Sequence, residues 1–479
     1  MGSKKKSKPS RSKKKPKTSA DQALALDYVR AWAQPAPPRP EPSAADADDF
    51  LPAQVARGGG GDVLFELHSH SNHSDGFLSP SALVERAHRN GVKVLALTDH
   101  DTMAGIPEAV SAASKFGIRI IPGVEISALY NPREVAGAGE PVHILAYYGM
   151  CGPSRPDELY SMLLNIRDGR YLRAKNMLAK LNRLKVPIKW EHLTKISGEG
   201  VAPGRLHVAR AMVEAGYVEN VRQAFNKYLG DDGPAYARGT EPFAENVVQL
   251  IANTGGISAL AHPWSLKNPD AIIRSLKGAG LNGMEVYRSD GKVDGFSELA
   301  EKYGLLKLGG SDFHGRGGKD ESDIGTVKLA ITTLCCFLKM ARPIWSSAMK
   351  DILLKFAEEP SSENLRNMLK FGRLTNVDGF SPINAGIDVV SFCLSSWSSN
   401  DDMEDVELEE VRQLPSQSRA ARYPRFTGTC LDTQLPRGER SRLVPVTNER
   451  GHLAPSGWPE PTPSSLIKEP GQRPLLLIG

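Results

Sequence analysis

Residues 63–70 read Val-Leu-Phe-Glu-Leu-His-Ser-His, and residues 92–101 read Val-Lys-Val-Leu-Ala-Leu-Thr-Asp-His-Asp. Each is an apolar run of strand length that stops on polar, chemistry-bearing side chains. Five more runs share this character, at residues 118–126, 142–148, 257–261, 283–287 and 305–309. Nearly continuous apolar strands are those buried on both faces. A helical stretch follows each; Ser79-Pro80 opens the first and Gly91 closes it. Alternating β and α elements imply an α/β fold with parallel strands and helices outside, either an open sheet or a barrel.

The rhythm breaks once. Residues 150–240 carry helical patterns without clear strands and read as a helical insertion capping the open end of the barrel. Within it, residues 157–184 form a long helix with a basic face of Arg167, Arg170, Arg173, Lys175, Lys180 and Arg183. Such a face at the barrel mouth is expected to attract nucleic-acid phosphates. Residues 1–61 divide into a basic tail, a short helix and a Pro/Ala/Asp linker. In the helix Ser19 and Gln22 make a capping box, and Leu24, Tyr28 and Trp32 share a face. The barrel is expected over 62–335 and one or two helices over 336–380, with a disordered tail over 381–479. That tail holds seven acids at 401–410 and ten prolines beyond 410, with no convincing period. The tails are expected to be dispensable for turnover, with residues 55–375 sufficient for a folded, active protein.

The whole chain has 479 residues, a net charge of +5 and five cysteines. With 24% charged and 40% hydrophobic residues it is an ordinary globular composition, not a collagen-like or wholly disordered one. The odd cysteine count, with Cys335 and Cys336 adjacent, excludes a disulfide scaffold and fits reduced thiols. No run approaches the ~18 apolar residues of a membrane span, and the first residues lack a secretory apolar core. An intracellular location is expected, cytoplasmic or, given nine Lys or Arg within residues 1–20, nuclear.

The chemistry sits where the strands end. His68 and His70 close the first run, and side chains at i and i+2 of a strand point the same way. Asp75 follows in the turn. Asp99, His100 and Asp101 end the second run, Glu125 the third, and His143 lies in the fourth. His262 ends the fifth run, and Asp312 and His314 end the last. Carboxyl ends of strands are where α/β barrels build active sites. His and carboxylates without Cys make a catalytic rather than a structural metal set. Nine candidate ligands are too many for one ion and suit two or three ions sharing a carboxylate. Asp99 and Asp101 read instead as residues that orient the imidazoles from behind.

These motifs resemble those of the PHP (polymerase and histidinol phosphatase) superfamily. The resemblance rests on His68-x-His70, the tetrad 98–101, Glu125, His143, His262 and Asp312-x-His314. Ser74-Asp75-Gly76, Gly123-Val124-Glu125-Ile126-Ser127 and Gly204-Arg205-Leu206-His207 bring it nearest the bacterial ribonuclease AM and nucleoside-3′,5′-bisphosphate phosphatase branch. The resemblance implies a distorted (β/α)7 barrel and a trinuclear centre of divalent ions, manganese, zinc or iron. One ion would take His68, His70, Glu125 and Asp312; a second Glu125, His143 and His262; a third Asp75, His100 and His314. The implied activity is hydrolysis of phosphate esters of nucleotides or of the 5′ end of short RNA. A metal-bridged hydroxide would attack phosphorus, with no catalytic residue beyond the ligands. Arg205 and His207 would point from the insertion toward the substrate phosphate. Two rivals are a histidinol-phosphate-type phosphatase and a non-catalytic metal-binding scaffold. The complete ligand set argues against the scaffold; Ser74-Asp75-Gly76 and the insertion argue against the first.

Overall fold

The computed structural model describes residues 19–33, 63–131, 139–198, 200–230, 232–291, 295–317, 321–359, 361 and 363–364. The basic tail, the linker, the acidic stretch and the proline-rich end of the chain lie outside the described residues.

In chain order the elements are α1 (Ala20–Ala33), β1 (Leu64–Glu66), α2 (Pro80–Arg89), β2 (Val92–Leu97), α3 (Ile106–Phe116), β3 (Arg119–Tyr130) and β4 (Glu140–Tyr147). Four helices form the insertion: α4 (Pro156–Arg183), α5 (Trp190–Ser197), α6 (Arg205–Glu214) and α7 (Val221–Ala224), the last running into a π-helical turn at Phe225–Leu229. Then come α8 (Ala244–Asn253), β5 (Ile257–Leu260), α9 (Pro269–Gly278), β6 (Gly283–Tyr287), α10 (Phe296–Lys302), β7 (Leu306–Gly309) and α11 (Ile331–Glu358). All seven expected strands are present, and they pair in sequence order from β1 to β7.

The expectation of a wholly parallel sheet fails at β4, which is antiparallel to both β3 and β5. Only residues 131–139 join β3 to β4. A parallel crossover needs a dozen or more residues, so the short link forces a hairpin. The reversal has a consequence for the site. His143, near the start of β4, lies opposite Ser127 near the end of β3, at the same rim as the other strand ends.

The sheet keeps β1 and β7 as its edge strands, and the chain just past them comes together. Beyond β1 and β7 the chain makes a parallel bridge between Ser69 and Phe313, and the His70 N–H donates to the Phe313 carbonyl at 2.9 Å. The buried carboxylate of Glu66 joins this seam by accepting from the N–H groups of His68, Ser311 and Gly325 at 3.1, 2.9 and 2.8 Å. Gly310 permits the approach, since a Cβ there would lie 2.4 Å from the Cβ of His68.

Two apolar layers hold the barrel. Outward-facing strand residues such as Leu95, Val124 and Ile144 pack under helices α2, α3, α4, α8 and α9. Inward-facing Phe65, Val94, Ile121, Leu145 and Tyr147 fill the barrel and meet α1 and α11 at its floor, opposite the ligand-bearing rim. The insertion has a separate core around Met177, Leu181, Leu193 and Met212.

The N-terminal helix packs on this floor. It carries the expected capping box, with Gln22 N–H donating to Ser19 Oγ at 3.2 Å and Ser19 N–H to Gln22 Oε1 at 3.1 Å. The buried face is Ala25, Val29 and Trp32, whereas Leu24, expected on that face, is 70% exposed. Trp32 packs on Phe65 and Trp345 with ring centroids 6.1 and 6.0 Å apart. The C-terminal helix is continuous through Pro343. Losing one backbone hydrogen bond costs less than exposing its face of Leu334, Phe337, Leu338 and Trp345, all buried on the barrel floor.

Replacing Trp32 by Ala should lower the unfolding free energy by ~3–5 kcal/mol, as for other buried aromatics. Leu24→Ser should change it by less than ~0.5 kcal/mol. Urea denaturation followed by circular dichroism reads both. Equal effects would place the wrong face of α1 on the barrel.

Candidate metal centre

The rim collects its side chains because β1, β2, β3, β5 and β7 carry a polar residue at or beyond this level, and the antiparallel β4 begins there. His68 and His70 extend β1 at i, i+2 and are both fully buried. His100 extends β2 and bridges to Glu125 of β3. His143 projects on the same face as Ser127, and therefore as Glu125 two residues earlier. His262, Asp312 and Asp101 take left-handed backbone angles, with φ of 27°, 51° and 54°. These are three of the four non-glycine residues with positive φ among the described residues. Side chains rarely adopt that region, and held strain of this kind clusters at functional sites.

Glu125 is the centre of the arrangement. Its Oε1 lies 2.9 Å from His143 Nδ1 and 3.0 Å from His262 Nε2. Its Oε2 lies 3.3 Å from His68 Nε2 and 3.2 Å from both His70 Nε2 and His100 Nδ1. Asp312 Oδ1 adds contacts of 3.3 Å to His68 and 3.2 Å to His70. On the other side Asp75 lies 3.2 Å from His314 Nε2 and 3.9 Å from His70 and His100. All nine residues expected as ligands are thus brought together. They fall into overlapping groups: His68, His70, Glu125 and Asp312; His70, Asp75, His100 and His314; His100, Glu125 and His143. In these groups His70 and His100 are shared where the expectation used each once, and His262 enters through its contacts with Glu125 and His143.

The donor set fits divalent ions. Five buried atoms here, His68 Nε2, both ring nitrogens of His70, Asp75 Oδ1 and His100 Nδ1, have no hydrogen-bond partner despite their close neighbours. Buried polar atoms in native proteins are almost always satisfied, so a cluster of orphaned lone pairs facing one another is what an ion between them would satisfy.

Electrostatics point the same way. Burial pushes the Glu125 carboxyl up, but His100, His143 and His68 outweigh it and hold it well below the usual carboxylate range. Burial likewise opposes ionisation of Asp75, and His314, His100 and His70 overcome it. Burial would lower His70, yet Asp312 and Glu125 raise it to about 10. His68 is also raised, with Glu285, Asp312 and Glu125 outweighing its burial. His100 goes the other way, burial holding it well below the imidazole range. Loading the site with cations must therefore displace protons from imidazoles, so metal affinity weakens in acid.

The supporting residues differ from expectation. Asp99 contacts no imidazole; it accepts from Ser71 N–H, Ser71 Oγ and Ser74 Oγ at 2.7, 2.6 and 2.6 Å, clamping the turn that carries Asp75. Asp101 accepts from Ser127 N–H at 2.7 Å and pairs with Arg170 at 2.6 Å. The His68 imidazole and the His262 backbone are held instead by Glu285, which the sequence reading passed over. Its Oε1 lies 3.0 Å from His68 Nδ1, and its Oε2 accepts from the His262 N–H at 2.7 Å. A lone acid in the otherwise apolar run Gly-Met-Glu-Val-Tyr was the available signal.

The insertion closes a cavity of about 470 Å³ over the cluster. Its lining includes Asp75, His100, Glu125, His143, His262 and the arginines 170, 173, 205, 222 and 316. The long helix does not present one open basic face. Arg167 donates to the Gly200 carbonyl, Lys180 donates to the Tyr236 carbonyl, and Lys175 sits 5.4 Å from the centre of the Trp190 ring. These staple α4 to the rest of the insertion; Arg170 and Arg173 face the cavity, tied to Asp101 and Glu241. Arg205 lines the cavity, its guanidinium 5.6 Å from the centre of the Tyr236 ring. His207 is buried and accepts at Nδ1 from the Gly204 N–H at 3.0 Å, starting α6. Burial pushes it down to about 4, which keeps it neutral with its proton on Nε2.

Comparison with known proteins agrees with this geometry. The family model described as the PHP domain matches residues 66–198. A 3′,5′-nucleoside bisphosphate phosphatase of Chromobacterium violaceum is 33% identical over 60% of this chain and 97% of its own length. A 5′-3′ exoribonuclease of Haemophilus influenzae is 35% identical over 52% of this chain and 89% of its own. The solved structure of a presumed metal-dependent phosphoesterase of Bifidobacterium adolescentis superposes with a TM-score of 0.51 at 30% identity, over 57% of this chain and 95% of that one. The chain belongs to the PHP family. It is a metal-dependent hydrolase of phosphate esters. Among the described residues no helix is long and apolar enough to cross a membrane.

Glu285→Ala should leave His68 Nδ1 without its carboxylate and weaken metal binding by ~10–100-fold, the usual cost of losing a ligand's supporting partner. Competition with a chelator, read by elemental analysis, measures it. Unchanged affinity would remove Glu285 from the site. A second test concerns acid. His207 has its pKa depressed by folding, so stability that it contributes is complete above its unfolded value of ~6.5 and is lost as pH falls toward 4. His207→Gln keeps an acceptor at the helix start without that titration. Its stability should fall less steeply than the wild type between pH 6.5 and 4; parallel slopes would show that His207 does not carry the effect.

Proposed function

We propose that this chain hydrolyses phosphate esters of nucleotides, releasing phosphate from 3′,5′-nucleoside bisphosphates and removing nucleotides stepwise from the 5′ end of short RNA. The observation that carries the reading is one cavity lined by seven of the nine candidate ligands together with five arginines, with His68 and His70 buried behind them. A substrate with one phosphate at the cluster and a second anionic group under the insertion matches that pairing. The Chromobacterium and Haemophilus relatives, a bisphosphate phosphatase and a 5′-3′ exoribonuclease, support it.

Two or three divalent ions, manganese, zinc or iron, would be held by His68, His70, Glu125 and Asp312, by Glu125, His143 and His262, and by Asp75, His100 and His314. When bound they supply Lewis acidity, activate water near neutral pH and neutralise charge on the phosphoryl group. The protein does the rest. Ionised Glu125 and Asp75 keep the cluster anionic enough to retain cations. Glu285 fixes the His68 ring and the His262 backbone, and the clamp by Asp99 fixes the Asp75 turn, so that these donors need little rearrangement. Arg170, pinned by Asp101 and Ser127, keeps an unpartnered Nε donor near the cavity. With Arg173 and Arg205 it attracts the second phosphate and fixes the nucleoside so that its 3′ ester reaches the cluster. The same bond breaks in both substrates: water adds to phosphorus and the 3′ oxygen leaves as a hydroxyl. From a bisphosphate this releases inorganic phosphate; from RNA the phosphate stays on the shortened chain.

Phosphate release from a nucleoside 3′,5′-bisphosphate should occur and should stop on chelation. Asp312→Ala and His314→Ala, at different ends of the cluster, should each lose metal by elemental analysis and at least ~100-fold in kcat. Full metal content in both variants would sink the ligand assignment. An end-labelled 5′-phosphorylated oligoribonucleotide separates the two activities, because internal cleavage or no cleavage leaves only the phosphatase.

A further inference from the structure

The metal-bearing cavity is not a dead end. Across Asp312 and His314 it continues into a second cleft of about 830 Å³, sharing Leu206, Val221, Arg222 and Arg316 as lining. The ligands do not explain this cleft, which runs outward from them. Its lining carries two flat plates. On one, the Arg288 guanidinium lies 4.5 Å from the centre of the Trp264 ring, and Asp290 holds Arg288 at 2.9 Å. On the other, the Arg210 guanidinium lies 4.2 Å from the centre of the Phe77 ring, and Phe77 is 42% exposed although large and apolar. Phe77 is tied to the site by its backbone, its N–H donating to the His314 carbonyl at 2.7 Å.

We propose that this outer cleft is a binding site for the nucleotide that follows the scissile phosphate in a chain substrate. Single-stranded nucleic acid is held by a basic groove with aromatic or guanidinium faces on which bases stack, and the cleft has both. The geometry of hydrolysis sets which nucleotide sits where. The nucleoside that leaves through its 3′ oxygen occupies the inner cavity under the insertion. The other substituent on phosphorus must then project away from it, past Asp312 and His314, into the cleft. In a bisphosphate that substituent is only an oxygen, and the cleft stays unused. In a 5′-phosphorylated dinucleotide it is the second nucleoside, whose base meets the Phe77 and Trp264 plates. The inference rests on the proposed function and names the residues that separate its two substrates.

The test compares the full chain with its Phe77→Ala and Arg288→Ala variants on a nucleoside 3′,5′-bisphosphate and on a 5′-phosphorylated diribonucleotide. Each variant should keep kcat/KM for the bisphosphate within about twofold and lose about tenfold on the dinucleotide, mainly through KM. Direct titration of the dinucleotide into chelated protein should show the same weakening in Kd. Preserved bisphosphate turnover also shows that the variants fold. Equal losses on both substrates, or no loss on the dinucleotide, would overturn the outer site. So would a wild type that hydrolyses the bisphosphate but neither binds nor cleaves the dinucleotide, a result that leaves the phosphatase reading intact. Failure of the metal-loaded wild type on both substrates would instead overturn the proposed function, and the outer site with it.

Discussion

Five imidazoles place a nitrogen within 3.3 Å of the two oxygens of Glu125, a carboxylate that is only 1% exposed. An ionised carboxylate buried to that degree is costly unless it is paired, and a set of histidines around it is costly unless each finds a partner. Much of the barrel rim can be understood as the solution to that constraint. β1, β2 and β5 must end at one level to deliver four of these rings, and β4 must run backwards for His143 to arrive at the same rim as Glu125. Local strain at Asp101, His262 and Asp312 turns their side chains inward, at a backbone cost that the surrounding contacts offset. The orphaned ring nitrogens that remain are the part of the constraint that protein atoms alone leave open.

Around this centre the fold separates stability from chemistry. The floor of the barrel is apolar, sealed by α1 and α11 through Trp32, Phe337 and Trp345. Tyr147 crosses the interior, donating to the Leu67 carbonyl at 3.0 Å, while its own carbonyl accepts from Trp345 Nε1 at 3.1 Å. The rim is charged and partly strained, and it is closed by an insertion with its own core. The first half of α4 packs on the barrel through Leu159, Leu163 and Ile166, and its second half shares the insertion's core with α6, so both helices are anchored where they present arginines to the cavity. Arg170 is the link between the two. It belongs to the insertion but its partners, Asp101 and Ser127, belong to the barrel rim, so the cap and the site are held in one register.

The order of the elements and the ligand positions were legible in the chain. Most strands are short apolar runs that lead to a ligand type, and the i, i+2 spacing of His68 with His70 and of Asp312 with His314 survives any packing of the strands. The insertion was legible as the interval where the β rhythm stops. Local signals of this kind depend on periodicity and capping alone, which neighbouring residues decide.

What the sequence could not decide is whatever depends on a partner distant in the chain. Strand direction at β4 is set by the reach of residues 131–139, not by its own pattern. The buried face of α1 depends on which ridge meets Trp345, so Ala25 and Val29 are buried beside Trp32 while Leu24 is exposed. Glu66 and Glu285 are lone acids in apolar strands, and only contact with Ser311, His68 and His262 shows one closing the barrel and the other aiming two ligands. Arginines that share a helix were separated into staples and cavity walls by acids and carbonyls many residues away. Composition and spacing determined which groups reach the rim. Tertiary contact alone decided what each charge pairs with, because a buried charge is assigned its role by the partner that makes its burial tolerable.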